Sequence, residues 1–192
     1  MGGGFHPGAV RLLPGDGQAQ RCCGVGGVRL CASHSRYFWG LRLHLVTTLA
    51  GLPVLFALAG AKADEREVLL GMLDNASDVV NAHPGQTLIG DKNYFGRAFE
   101  EDLTGRELVL LRPVRTGEAR RAGQHLLKPL RQVIESVNWT LKGQLDLERH
   151  GGRTPEGIIA RILARILALT AAIWHNDKTG QDVKRSLITY DH

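Results

Sequence analysis

Residues whose types and spacing could do chemistry gather in three places. Between Arg131 and Lys142 the chain reads RQVIESVNWTLK, and on a helix of about 100° per residue Arg131, Glu135, Asn138 and Lys142 fall within roughly 60° of one another. The apolar Leu130, Val133, Ile134, Val137 and Leu141 centre about 110° further round, so the helix buries one side and offers the other a carboxylate between two cations. That line is either a site or a solvated face with ordinary spaced charge pairs. The second place is TLIGDKNYFG, where a short apolar strand ends in Gly90-Asp91. An Asp at the carboxyl end of a strand faces the crevice where open α/β sheets place their sites; the alternative is a turn or cap residue. The third is the loop RPVRTGEARRAGQ, with Arg112, Arg115, Arg120 and Arg121 against the single Glu118. Guanidinium groups are natural phosphate contacts, although a basic loop is also simply well solvated.

The spacing Arg131, Glu135, Lys142 resembles the signature around the catalytic glutamate of bacterial insertion-sequence transposases of the DDE class. That signature normally opens with a Tyr three positions before the Arg, where Lys128 stands here. SHSRYFWGLRLHLV (33 to 46), LIGDKNYFG (88 to 96) and the stretch from Ile134 to Asn176 resemble the same family, so the likeness runs from about 32 to 180. It implies an RNase-H-like mixed α/β sheet with flanking helices. By the same resemblance Asp91 and Glu135 are two of three catalytic, metal-holding carboxylates, with Arg131 and Lys142 supporting Glu135. Lys92, Asn93 and Tyr94 match the residues that follow the family's second aspartate, with Asn for the commoner Gly.

The implied chemistry is hydrolysis of a DNA phosphodiester and attack of the freed 3′-hydroxyl on target DNA, with two Mg²⁺ or Mn²⁺ ions per intact site. Double-stranded DNA, both transposon ends and target, is the implied partner, met by Lys92, Arg112, Arg115, Arg120, Arg121 and Lys128. A homodimer is left open, no membrane is involved, and the location is cytoplasmic, at the nucleoid. The strand that carries the family's first aspartate is missing ahead of Tyr37. Only Asp16 precedes it, in LLPGDGQAQ, which has no strand character. The chain is therefore expected to be truncated or frameshifted at its N-terminus and to cleave DNA poorly, or to be a non-catalytic DNA-binding remnant.

The positioning elements follow from pattern. Residues 1–31 hold nine of the 24 glycines, no lysine and no apolar period, and are expected to be an unstructured or out-of-frame leader. From Tyr37, alternation puts Leu41, Leu43 and Leu45 on one face and Arg42, His44 and Val46 on the other, and a turn at Gly51 and Pro53 leads to an antiparallel partner, VLFALAG. His44 is expected to be a hydrogen-bonded sheet residue. Asp64 caps a helix that ends near Asn81, residues 94–102 form a short helix, and ELVLLRP is a strand. Thr154-Pro155-Glu156 opens a last long helix whose Ile158, Ile159, Ile162, Leu163, Ile166, Leu167, Ile173 and Trp174 are expected to cover the sheet. Residues 181–192 read as a polar tail.

Composition sets the bounds. At 192 residues with 43% hydrophobic and 22% charged side chains, the chain suits one soluble domain. A net charge of +5 favours a polyanionic partner. Cys22, Cys23 and Cys31 fit neither a disulfide framework nor zinc spacing. There is no cationic start followed by an apolar run, so no secretory leader is expected. The apolar stretch Ile158 to Trp174 carries Arg161 and Arg165, which argues for a packed helix over a membrane span.

Overall fold

The computed structural model describes residues 27–31 and 36–181, with side chains from residue 40 onward. Residues 1–26, 32–35 and 182–192, and with them most of the expected leader and the tail, lie outside the described residues. The fold is mixed α/β. Strands β1 (Gly27–Cys31), β2 (Arg36–Thr47) and β3 (Pro53–Gly60) form one antiparallel sheet, and β4 (Thr87–Ile89) and β5 (Val109–Leu111) form a parallel pair. Helices α1 (Glu65–Asn75) and α2 (Ser77–Asn81) lie between the sheets in sequence. Next come α3 (Arg97–Gly105), between β4 and β5, then α4 (Leu127–Trp139) and α5 (Pro155–Thr179). The expected leader thus ends in a strand: Gly27–Cys31 pairs antiparallel with residues 36–40, which sequence alternation alone did not signal.

Strand β2 has a helical layer on each face, because alternate side chains point opposite ways. Val46 joins Leu69, Met72, Leu73, Leu88, Tyr94, Phe99, Leu103 and Leu108 in one core, which draws in α1 and α3. Leu43 and Leu45 join Val137, Leu141, Leu147, Ile162, Ile166, Leu169 and Ile173 in the other, which draws in α4 and α5. All seven residues from Arg42 to Thr48 are buried. The alternation read from the sequence therefore assigns the faces correctly for Arg42, Leu43, Leu45 and Val46.

Helix α5 corrects the sequence reading. Its inward seam is Ile162, Ile166, Leu169, Ile173 and Asn176, while Ile159, Leu163, Leu167 and Trp174, expected in the core, are exposed. The apolar face is wider than the sheet can cover. Arg161 donates to the carbonyl of His150 and Arg165 to that of Leu145, so both guanidinium groups tie α5 to the α4–α5 connection. Among the described residues α5 is the one helix long and apolar enough to cross a membrane.

Two polar side chains sit deep against α1. Arg42 donates to Glu65 at 2.7 Å, both nearly buried. His44 is wholly buried, and neither ring nitrogen finds a hydrogen-bond partner among the described residues, contrary to the expected bonded sheet histidine. Its burial, reinforced by the Arg42 charge, pushes the imidazole down to about 4. In the unfolded chain the ring takes up its proton near 6.5. Between about 6.5 and 4 the unfolded state thus binds the extra proton, and the folded state loses stability as pH falls through that window, by an amount of order 3 kcal/mol. Urea unfolding followed from pH 7 to pH 4 is expected to show this loss, and His44→Leu to flatten it. A slope unchanged by the substitution would move the origin to another group.

Candidate active site

Asp91 stands where the sequence put it, at the carboxyl end of β4. The Gly90 amide donates to the Leu111 carbonyl at 3.0 Å, closing the β4–β5 pair immediately before it. Gly90 lets Tyr94 approach closely: a Cβ there would lie 3.1–3.2 Å from the Tyr94 side chain, tight enough that the tyrosine would have to give way. Tyr94 is fully buried and packs beside Phe99, so the ring presses the turn against the core. The Asp91 carboxylate accepts from the Asn93 amide at 2.6 Å, an Asx turn that fixes its rotamer. Burial, aided by the carboxylates of Glu65 and Asp91, pushes the Tyr94 phenol far above its usual value, so it stays neutral.

The turn is held from outside by α1. Asp64 caps that helix, accepting the Arg66 amide at 2.8 Å and the Arg66 guanidinium through both oxygens. Those bonds hold the Asp64 carboxyl down at about 2. Arg66 in turn donates to the Phe95 carbonyl at 2.9 Å and stacks on the Phe95 ring, which also carries the Arg115 guanidinium at 3.6 Å. Neither Arg66 nor Tyr94 was recognised as a positioning residue from sequence. The Arg66 contact spans 29 positions, and no local pattern reports it.

Glu135 lies on the outer side of α4, half-exposed, with Arg131 at 3.9 Å. Leu127 and Leu130 pack with Ile89 and Leu111, so α4 starts at the same end of the β4–β5 pair that carries Asp91. Beyond Trp139 the helix widens into a π turn, Thr140–Gln144, in which the Leu145 amide donates to the Thr140 carbonyl. A π turn spends an extra residue per turn, so angles extrapolated at 100° fail there. Lys142, expected to flank Glu135, pairs with Glu148.

The basic loop differs most from expectation. Arg112 is 1% exposed, and its guanidinium donates to Glu100 at 2.9 and 3.2 Å and to Glu118 at 2.8 Å twice. Arg121 adds two bonds to Glu100, at 3.0 and 2.9 Å. Burial raises the Glu100 carboxyl, but the hydrogen bonds from Arg112 and Arg121 outweigh it and leave it below its usual range. The same guanidinium, helped by the Arg115 amide, brings Glu118 down to about 2. Arg112 is therefore a structural cation with no face left for phosphate, and Arg121 is largely neutralised. Lys92, Arg115, Arg120 and Lys128 remain exposed.

Among the described residues no group of three or more His, Cys, Asp or Glu side chains could hold a metal ion. Asp91 and Glu135 are thus, at most, part of a carboxylate set, and the described residues do not complete one. The model of the transposase DDE domain family matches residues 12–171, and the chain belongs to that family. DDE transposases act on DNA and generally use a divalent metal. The matched range begins ahead of the described residues and takes in Asp16, the only acidic residue before Asp64. No curated protein matches the chain.

Replacing Arg112 by Ala is expected to leave Glu100 and Glu118 facing each other with Arg121 left to offset the pair. The loss should be about 2–3 kcal/mol in urea unfolding, somewhat below a fully buried pair because both carboxylates keep some solvent. Lys at the same position should recover only part of it, since an ammonium cannot serve both carboxylates with forked bonds. Full recovery by Lys would reduce the arrangement to simple charge neutralisation.

Proposed function

We propose that the chain is the catalytic-domain portion of a bacterial insertion-sequence transposase, an RNase-H-like fold whose strand ahead of β2, GVRLC, carries no aspartate, and that it holds DNA but does not cleave it at a useful rate. Within this reading β1–β3 and β4–β5 are two parts of one sheet. Val46 of β2 and Leu88 of β4 share a core, which supports that arrangement. Asp91 and Glu135 are the two retained carboxylates of the family's set for Mg²⁺ or Mn²⁺, with Arg131 beside Glu135, and the protein works in the cytoplasm on chromosomal DNA.

What supports the reading is family membership over residues 12–171 together with the lack, among the described residues, of any group of three or more His, Cys, Asp or Glu side chains that could hold a metal ion. An essential electrostatic element removed from such a site commonly costs several kcal/mol of barrier. In a strand-cleavage assay with Mg²⁺ or Mn²⁺ the chain is expected to be near background, and Glu135→Ala to change nothing. A version with an Asp-bearing strand in place of β1 is expected to cleave, and to lose that activity on Glu135→Ala or Asp91→Asn. Robust cleavage by the unmodified chain, lost in Asp16→Asn, would assign the third carboxylate to Asp16 and sink the inactive reading.

DNA binding rests on the exposed cations. Lys92, Arg115, Arg120 and Lys128 can meet phosphates, and no described element presents a groove-reading surface, so binding should be weakly sequence-dependent and strongly salt-dependent. Arg120→Ala with Lys128→Ala is expected to weaken duplex binding and lower the salt slope by about two. Arg112→Ala, after correction for the folded fraction, is expected to leave the slope alone. Unaltered affinity in the first variant would return the loop to plain solvation.

A further inference from the structure

The exposed side of α5 is self-complementary. At 100° per residue, Glu156, Ala160, Leu163, Leu167, Ala171, Trp174 and Lys178 lie within an arc of about 80° centred on Leu167, with Ile159 on its flank. All of these side chains are exposed, Leu167 at 68% and Trp174 at 59%. The arc is on a different side of the helix from the buried seam and from Arg161 and Arg165, which the fold already uses. The stripe runs roughly 33 Å from Glu156 to Lys178 and is continuously apolar over the roughly 21 Å from Ala160 to Trp174, more than the singly scattered apolar residues normal on a surface.

The order of residues along the stripe selects the occupant. An acid closes one end and a base the other, so a parallel copy would set Glu156 on Glu156 and Lys178 on Lys178. An antiparallel copy related by a two-fold axis at Leu167 sets Glu156 on Lys178 of the second copy at both ends. The same register puts Leu163 on Ala171 and Trp174 on Ala160, large against small, with the two Leu167 side chains meeting on the axis. Such isologous pairing is the commonest way soluble chains associate. A lipid surface would not require an acid at one end of the stripe.

We propose that α5 is the interface of a two-fold homodimer in which the helices pair antiparallel about Leu167. The inference stands apart from the proposed DNA activity and is tested without it. Sedimentation equilibrium of the full chain at micromolar concentrations should show a dimer. Leu167→Glu, at a position that the monomer fold leaves exposed, should raise the dissociation constant about a hundredfold or more while the circular dichroism spectrum stays unchanged. Glu156→Lys and Lys178→Glu should each weaken the dimer about fivefold, and the double exchange should restore it. A monomeric wild-type chain overturns the proposal. So does a dimer indifferent to Leu167→Glu, or single charge exchanges without effect. A monomer that co-floats with phosphatidylglycerol vesicles through the same residues would give the stripe to lipid and equally overturn it.

Discussion

A guanidinium buried in a sheet has to be answered, and the answer organises much of this molecule. Arg42 belongs to a strand whose described side chains from residue 42 to 48 are all buried, and an unpaired cation there would cost several kcal/mol. Glu65 supplies the counter-charge from the first residue of α1, so the ion pair fixes where that helix begins. Once α1 begins there, Asp64 becomes its cap and Arg66 is aimed at the Phe95 carbonyl. Phe95 closes the turn that holds Asp91. A chain of short polar contacts thus runs from the centre of the antiparallel sheet to the turn that holds the carboxylate at the end of the parallel pair.

Periodicity carried the fold where burial was one-sided or regular. The faces of β2, the antiparallel β3, the cap at Asp64, the end of the helical region at Asn81, and the Thr154-Pro155-Glu156 start of α5 could all be read locally, because each is decided by residues within a few positions. The seam of α4 was legible for the same reason. What failed was decided at a distance. Glu100, which captures Arg112 and Arg121, lies on α3 and is 12 and 21 positions away. A loop that looked strongly cationic in sequence therefore has two of its four arginines answered by carboxylates in space, one of them from α3. The outer side of α5 failed differently: its apolar pattern is broad, and no local rule says how much of it the sheet is wide enough to cover.

The same redistribution of charge bears on how the chain meets DNA. Of the six cations that the sequence put forward as phosphate contacts, one is buried between carboxylates and another is bound to Glu100, while Arg115 lies against Phe95 with its outer side still in solvent. What is left is a sparse set of point charges on different elements. Such a set attracts a polyanion through the general field and offers little geometric selection.

The π turn after α4 has a consequence for comparing this chain with its relatives. The π turn is the last turn of its helix: Leu145 follows it in a non-helical conformation and Asp146 in the left-handed region. Leu141, inside the turn, stays in the core beside Val137 and Leu147, so the widened turn keeps its apolar side inward while its other positions are displaced from the α-helical angles. A motif that counts positions from Glu135 to Lys142 counts across that bulge, so equal spacing in two sequences need not mean equal direction in space.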